Sequence, residues 1–259
     1  MTGFIVAVCA VLGLAVGSFL NVVIYRVPRK ESVVSPRSRC PRCGTEITAF
    51  DNIPVLSWLL LRGRCRTCRE PISVRYPLIE VGCAALFAAM ALRFGADWAL
   101  PAFLTLAAAL LAGSAIDIEH QLLPDRLVFP SLALALPMLV VAAAVDDRWG
   151  SLARGLIGAV IASGGLLGMA LAWPRAGAMG GGDIKLALLL GLCLGWLGLG
   201  HVALGLFLGF LFGSIVGVAL VVTKAKALQE HFAFGPFLAA GTLVAVWWGT
   251  PLLDLYLHR

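Results

Sequence analysis

The stretch LALLLGLCLGWLGLGHVALGLFLGFLFGSIVGVALVVT, residues 186–223, contains no Asp, Glu, Lys or Arg in 38 positions. A single transmembrane helix needs only about 20 apolar residues, because each residue advances about 1.5 Å through about 30 Å of hydrocarbon. The stretch therefore predicts two helices, with a turn in the segment GWLGLGH at 195–201. We predict helices rather than strands because open sheet edges are not tolerated in lipid.

Long apolar segments recur along the rest of the chain and predict six more membrane-spanning helices, at residues 1–25, 76–93, 98–116, 127–145, 155–173 and 232–253. The chain is 60% hydrophobic and 13% charged, whereas soluble domains are about 25% charged. This composition excludes a disordered chain, a collagen-like fibre and a small secreted disulfide protein. The first segment lacks a basic flank and a cleavage site, so we expect an uncleaved span. The sequence thus predicts an all-α polytopic membrane protein with about eight helices.

The basic residues are distributed unevenly between the predicted loops. With the segment after the first helix in the cytoplasm, 16 of the 20 Lys and Arg fall on the cytoplasmic side, as the positive-inside rule requires. Both termini are then expected outside. Residues 30–75 hold 13 of the 34 charged side chains and no segment long enough to span. We therefore expect a small cytoplasmic domain at 26–75 and a seven-helix membrane domain at 76–259.

Four of the seven cysteines form two Cys-x-x-Cys pairs in this cytoplasmic domain, Cys40 with Cys43 and Cys65 with Cys68. Two such pairs complete the tetrahedral ligand set of a structural zinc site and leave no position for water. Disulfides or free thiols are the alternative, and the reducing cytoplasm disfavours the disulfides. A metal also suits a domain of about 50 residues, which has little core of its own. A nucleic-acid zinc ribbon fits so apolar a chain poorly, so we expect no nucleic-acid partner.

Two aspartates lie at the predicted cytoplasmic edge of the membrane. Asp117 directly follows the uncharged segment 98–116, and Asp183 follows three glycines, Gly180–Gly182, which permit a sharp bend and a close approach to another chain. If the two carboxylates converge, they share one proton, since like charges a few ångströms apart do not both ionise cheaply. The ionised carboxylate then activates water while the protonated one polarises a peptide carbonyl, which is aspartic-protease chemistry.

Other interpretations of these carboxylates are open at this point. Asp183 stands where a helix N-cap belongs, so its role is either structural or catalytic. A proton-coupled transporter also uses membrane carboxylates, but it usually carries polar residues at mid-helix, where these spans hold Leu, Ala, Val and Gly. A zinc-module membrane adaptor without catalysis leaves the glycine run before Asp183 unexplained.

Five motifs follow one another along the chain: Gly17–Pro28, the paired Cys-x-x-Cys, Tyr76-Pro77-Leu78-Ile79-Glu80, the segment Asp117–Asp125 and Gly180-Gly181-Gly182-Asp183. Together they closely resemble the type IV prepilin peptidases, whose Gly-x-Gly-Asp motif is that of the membrane aspartic proteases. The resemblance covers most of the chain, from the first predicted helix to the sixth.

This resemblance implies a multi-pass enzyme of the bacterial inner membrane whose active site faces the cytoplasm. Such an enzyme cleaves the basic leader of type IV prepilins or type II secretion pseudopilins and then methylates the new amino terminus, commonly Phe, with S-adenosylmethionine. Asp117 and Asp183 match the family's catalytic aspartates, and Asp125 is the next candidate. The four cysteines match the family's zinc cluster, and residues 26–75 are expected to be the methyltransferase-associated domain.

The residues that bind the methyl donor are not predicted, because no glycine-rich nucleotide loop follows a strand in this sequence. Glu80 either contacts a cation or an amino terminus, or simply interacts favourably with the macrodipole at the start of its helix. Lys185 either steadies Asp183 or is an ordinary lysine at the cytoplasmic edge.

Overall fold

The computed structural model describes residues 1–172, 180–223 and 233–257. The chain divides into two compact units, the N-terminal unit Met1–Ala96 and the C-terminal unit Asp97–Arg259. Within the described residues the regular structure is helical, and strand-like pairing is limited to two isolated bridges, Arg39 with Glu46 and Arg64 with Pro71. The predicted all-α fold class is therefore confirmed.

The N-terminal unit contains the helices α1 (Thr2–Arg26), α2 (Leu56–Leu60) and α3 (Arg75–Phe94), and a 3₁₀ turn at Phe50–Asn52. Helices α1 and α3 pack side by side, and two glycines of α1 allow their backbones to approach closely. A Cβ atom at Gly13 would lie 2.6 Å from a Cα atom of α3, and one at Gly17 would lie 2.7 Å from the Cα of Glu80. A larger side chain at either position would push the two helices apart.

Polar contacts hold much of the segment between α1 and α3. Trp58 of α2 donates its indole N–H to the carbonyl of Ile72 at 3.1 Å. Arg66 forms a bidentate pair with Asp51 at 2.6–3.1 Å, and this guanidinium lowers the pKa of the Asp51 carboxyl. Most residues of this segment are exposed, so apolar burial contributes little to its stability.

The described part of the C-terminal unit contains the helices α4 (Leu100–His120), α5 (Asp125–Val145), α6 (Trp149–Ala172), α7 (Gly181–Leu197), α8 (Leu199–Val222) and α9 (Gly235–Leu257). Helix α7 contacts each of the other five and is buried along most of its length. Gly158 of α6 faces Gly191 of α7, so these two backbones meet without intervening side chains. Helix α7 is therefore the most enclosed helix in the described part of this unit, and its first turn belongs to a well-packed element.

Seven of the described helices are long and apolar enough to cross a membrane, namely α1, α3, α4, α5, α6, α8 and α9. The remaining predicted helix is α7, whose 17 residues extend about 25 Å at about 1.5 Å per residue. Gly198 separates α7 from α8, inside the turn predicted at 195–201. The long helices of the described residues therefore correspond one to one with the eight predicted from the sequence.

Two helices begin five or more residues before their uncharged segments. Helix α6 starts at Trp149 rather than at 155, because Arg154 fits on the helix and hydrogen-bonds one turn back at 2.9 Å. Helix α7 starts at Gly181, before the uncharged segment at 186 and two residues ahead of Asp183, where we expected the helix to begin. Predicted helix ends at 173 and 232, and the loop residues Arg175, Lys224 and Lys226, lie outside the described residues.

Candidate active site

Asp117 lies one turn before the end of α4 and is only 6% exposed. Its Oδ2 atom accepts a hydrogen bond from the backbone N–H of Gly235 at 2.8 Å. Gly235 is the first residue of α9, where backbone N–H groups have no partner within the helix and the helix dipole favours negative charge. A Cβ at position 235 would lie 2.9 Å from the same carboxylate oxygen, so a glycine is needed for this approach.

Asp183 lies in the first turn of α7 and is only 8% exposed. The N-cap of α7 is Gly180, and no side chain of the described residues caps the helix from that position. The alternative that Asp183 is the N-cap residue is therefore wrong. Instead, the backbone N–H of Asp183 donates to the carbonyl of Gly180 at 3.0 Å, and its carboxylate lies beside the backbone of Gly180.

The turn between α4 and α5 lies between the two aspartates. Its residue Leu123 lies against both glycines: a Cβ at Gly182 would lie 2.6 Å from the Cβ of Leu123, and a Cβ at Gly235 would lie 3.4 Å from its Cδ1. The surroundings of Asp117 and Asp183 therefore meet at this turn. The structure thus brings together two carboxylates that are 66 positions apart in the sequence.

Gln121 fixes the direction in which the chain leaves α4. Its backbone is left-handed, with φ 53° and ψ 40°, and its N–H donates to the carbonyl of Asp117 at 2.8 Å. This bond ends the helix four residues after the carboxylate, in the geometry of a left-handed C-cap. The chain then reverses through Leu123 and enters α5 at Asp125.

Asp125 has a different environment from the two buried aspartates. It is exposed, and its carboxylate pairs with the ammonium of Lys185 at 2.6 Å. The structure therefore assigns Lys185 to Asp125 rather than to Asp183, which was one of its predicted roles. This pair joins the start of α5 to the second turn of α7 at the surface.

The four predicted zinc-ligand cysteines come together in the N-terminal unit. Their Sγ atoms all lie within 4.8 Å of one another, and those of Cys40 and Cys68 are 3.7 Å apart. Ligands at about 2.3 Å from a tetrahedral zinc ion would be about 3.8 Å apart, so this donor set fits the metal. The two pairs form similar turns, in which the residue after the second cysteine, Gly44 or Arg69, has a positive φ.

The surroundings of the cluster favour the thiolate of Cys43 and hold the two turns together. The hydroxyl and the backbone N–H of Thr45 both hydrogen-bond Cys43 and lower the pKa of its thiol to about 6. A metal ligand must be deprotonated, so this shift favours binding. An ion pair between Arg42 and Glu70 connects the first turn to the second.

Glu80 is buried in α3, beyond its first turn, so the predicted interaction with the start of the helix is wrong. Its Oε2 atom accepts the backbone N–H of Val55 at 2.7 Å, and its carboxylate also hydrogen-bonds Ser18 of α1. Val55 has a positive φ, with φ 62° and ψ −51°. Glu80 therefore holds the segment before α2 against the α1–α3 pair.

Two family models match the chain. Residues 11–94 match the bacterial peptidase A24 N-terminal domain, and residues 104–222 match the type IV leader peptidase family. A prepilin leader peptidase/N-methyltransferase of Pseudomonas putida is 39% identical, over 95% of this chain and 91% of its own length. The chain belongs to the type IV leader peptidase family.

Further relatives of this leader peptidase have the same description. The protein of Burkholderia pseudomallei (strain 1026b) is 38% identical over 96% of the chain and 87% of its own length. That of Aeromonas hydrophila is 36% identical over 94% of the chain and 91% of its own length. No solved structure matches the chain. These relatives give the transporter alternative no support.

Sequence analysis of this leader peptidase missed Gly235 and Leu123. Gly235 acts through its backbone N–H, and Leu123 acts through its packing, so neither carries a side chain that indicates chemistry. The one available signal is the pair Gly235-Pro236, because proline is typical of the first turn of a helix and glycine permits close approach. Gly235 also lies beyond residues 104–222, which the leader peptidase model matches.

Proposed function

We propose that this leader peptidase cleaves the leader from type IV prepilins and type II secretion pseudopilins and then methylates the new amino terminus. The observation that carries the proposal is the buried pair Asp117 and Asp183 in a chain whose relatives are prepilin leader peptidase/N-methyltransferases. We further propose that the enzyme lies in the bacterial inner membrane with this pair facing the cytoplasm. The concentration of Lys and Arg in the loops of that side supports this orientation.

Asp117 and Asp183 are the proposed catalytic residues. Each carboxylate lies at the N-terminus of a helix, α9 for Asp117 and α7 for Asp183, and both termini stabilise negative charge. We propose that the pair shares one proton, because two like charges in one buried site do not both ionise cheaply. A single ionised carboxylate and a single carboxylic acid are then available in one site.

Hydrolysis follows from this protonation state. The ionised carboxylate takes a proton from water as the water oxygen attacks the scissile carbonyl carbon, and the carboxylic acid donates its proton to the carbonyl oxygen. The tetrahedral intermediate then collapses as the C–N bond breaks. The aspartate that took the proton from water gives it to the leaving amine, and the other aspartate takes back a proton from a hydroxyl of the intermediate, which restores the pair. That amine is the new amino terminus of the pilin, which is the group to be methylated.

Cys40, Cys43, Cys65 and Cys68 are the proposed zinc ligands, and they fill the tetrahedral coordination of the metal. The zinc therefore has a structural role and no step of hydrolysis passes through it. S-adenosylmethionine supplies the methyl group when it is bound. The N-terminal unit carries both the cysteines and the region that matches the peptidase A24 N-terminal domain.

The test uses purified full-length protein in nanodiscs with a synthetic prepilin peptide that contains the leader and the first apolar turns. Mass spectrometry reports loss of the leader and gain of one methyl group as separate mass changes, with and without S-adenosylmethionine. We expect cleavage in both samples and methylation only with the donor. An intact peptide after long incubation would contradict the proposed peptidase.

A further inference from the structure

The short helix α2 of the N-terminal unit has the reverse of the usual polarity. Its apolar side chains Leu56, Leu59 and Leu60 are 57%, 58% and 82% exposed, whereas its polar side chain Ser57 is only 6% exposed. Soluble domains bury leucine and leave serine on the surface. The three leucines, here called the leucine face, lie on one side of the helix, because residues three and four positions apart are neighbours there. Neither the proposed hydrolysis nor the cysteine cluster uses this face.

Polar contacts on the opposite side of α2 fix its orientation. The hydroxyl of Ser57 donates to the carbonyl of Phe50 at 2.7 Å and accepts the backbone N–H of Ile53 at 3.0 Å. The indole of Trp58 donates to the carbonyl of Ile72. The leucine face cannot turn inward unless these hydrogen bonds break, so its exposure is a property of the folded unit.

The hydrogen bonds of α2 also place it at the level where α3 begins. Val55, the residue before α2, donates its N–H to Glu80, which is five residues after Arg75, the first residue of α3. At about 1.5 Å per residue this contact lies about 8 Å inside a helix whose length of about 30 Å matches the hydrocarbon of a bilayer. Trp58, in contrast, contacts Ile72, which precedes α3. Helix α2 therefore lies at the level of the membrane boundary.

Two arginines follow the leucine face. The side chains of Arg62 and Arg64 are exposed, and neither forms a hydrogen bond or an ion pair with another described residue. Arg66, in contrast, is paired with Asp51. Arginine can lay its stem along an apolar surface while the guanidinium reaches the phosphates of lipid headgroups. An apolar face next to free positive charge is typical of a helix that lies in the membrane interface.

We propose that the leucine face lies in the bilayer that α1 and α3 cross, at the boundary between headgroups and acyl chains, and that the bond from Val55 to Glu80 holds it there. The face continues an apolar surface of α3, because Val81, next to Glu80, is half-exposed at the same level. The occupant of the face is therefore lipid. Helix α2 gives the segment that carries the cysteine cluster its own contact with the membrane. This inference is independent of the proposed cleavage and methylation.

The test measures depth in the membrane by fluorescence quenching. A fluorescent amino acid replaces Leu56, Val81 or Val34 in the full chain, which is placed in phosphatidylcholine nanodiscs at one chain per disc. Position 81 is the reference inside the membrane. Position 34 is the control, because Val34 is largely exposed and belongs to the segment that Arg26 holds at the end of α1 through two hydrogen bonds. Zinc content and thermal unfolding verify that each labelled protein is folded.

Two quenchers distinguish lipid from water: a phosphatidylcholine with a nitroxide near the top of its acyl chain, and iodide in solution. We expect the nitroxide to quench position 56 about as strongly as position 81 and about threefold or more above position 34, because an interfacial helix buries its apolar face about 5–10 Å deep. Iodide should show the opposite order.

Two results would overturn the proposal. In the first, the nitroxide quenches position 81 normally but position 56 no more than position 34, which would place the leucine face in water. In the second, position 56 is protected from both quenchers, which would mean that another part of the chain covers it. A second copy cannot cover the face when each disc holds one chain.

Glu80 provides a matched pair of variants with the fluorophore at position 56. Glu80→Gln keeps an oxygen that accepts the N–H of Val55, whereas Glu80→Leu has no acceptor. We expect quenching by the lipid nitroxide to persist in Glu80→Gln and to fall in Glu80→Leu while iodide quenching rises. Equal quenching in the two folded variants would show that this bond does not hold α2 in the membrane, and the proposal would be wrong.

Discussion

Replacing Gly235 by alanine tests how the backbone of α9 supports Asp117. The added Cβ would lie 2.9 Å from the Oδ2 of Asp117 and 3.4 Å from the Cδ1 of Leu123. Asp117 and Leu123 are both held by their packing, so neither can move aside to make room for the added methyl group. The backbone of residue 235 must therefore move, and its N–H separates from the carboxylate of Asp117. The 2.8 Å hydrogen bond is then weakened or lost.

The size of the effect follows from the strength of that bond. A hydrogen bond to a charged group contributes about 1.5–3 kcal/mol, which corresponds to roughly a 10- to 150-fold loss of rate if the bond is needed in the transition state. A displacement of about 1 Å in a catalytic group has a cost of similar size, about 10²-fold. We therefore expect Gly235→Ala to lower kcat/KM for leader cleavage by one to two orders of magnitude.

The assay compares initial rates of leader release from a synthetic prepilin peptide by mass spectrometry. Gly164→Ala is the matched control, because it adds the same methyl group to α6 of the same unit, where no atom of the described residues lies within 4 Å. The control should cleave like the wild type. If Gly235→Ala also cleaves at the wild-type rate while remaining folded, the hydrogen bond from α9 does not support catalysis and the reasoning is refuted.

Three further predictions concern the same two units. Asp117→Asn and Asp183→Asn should each abolish leader cleavage with zinc retained, whereas Asp125→Asn should keep measurable cleavage, since an exposed ion pair contributes only about 0–1 kcal/mol. Wild-type cleavage by either of the first two would disprove the pair. Gly182→Val should lose most cleavage, because its Cβ would lie 2.8 Å from the carbonyl oxygen of the α4–α5 turn; normal turnover would mean the glycine is only a linker. Elemental analysis of reduced protein should find one zinc per chain and none in Cys40→Ser, and a metal-free wild type would refute the site.

Apolar segments of about 20 residues were sufficient to find the eight long helices, because the membrane requires apolar stretches whose length the sequence shows directly. The ends of the uncharged stretches did not mark where α6 and α7 begin, although Asp183 itself was expected to begin its helix. Both helices carry charged residues in their first two turns, Arg154 in one and Asp183 in the other, and these remain helical because hydrogen bonds and helix packing accommodate them. Helix ends therefore depend on local contacts that composition does not reveal.

The candidate site was predictable where side chains carry the chemistry. Asp117, Asp183 and the four cysteines are conspicuous in an apolar chain, and the structure gathers each set within one unit. The contribution of Gly235 was not predictable, because every residue except proline has a backbone N–H. Only the packed structure shows which of these groups faces a carboxylate. The surroundings of Glu80 were equally hidden, since its partner Val55 comes from a segment 25 residues away.

The turn between α4 and α5 has a consequence for how such sequences diverge. Leu123 touches the glycine before one aspartate and the glycine that binds the other, while Gln121 ends α4 four residues after Asp117. One inserted or deleted residue between positions 117 and 125 would rotate α5 relative to α4 and withdraw Leu123 from both glycines. Gene variants with a changed length in this stretch should therefore be eliminated by selection, while substitutions on the lipid-facing sides of the same helices accumulate freely.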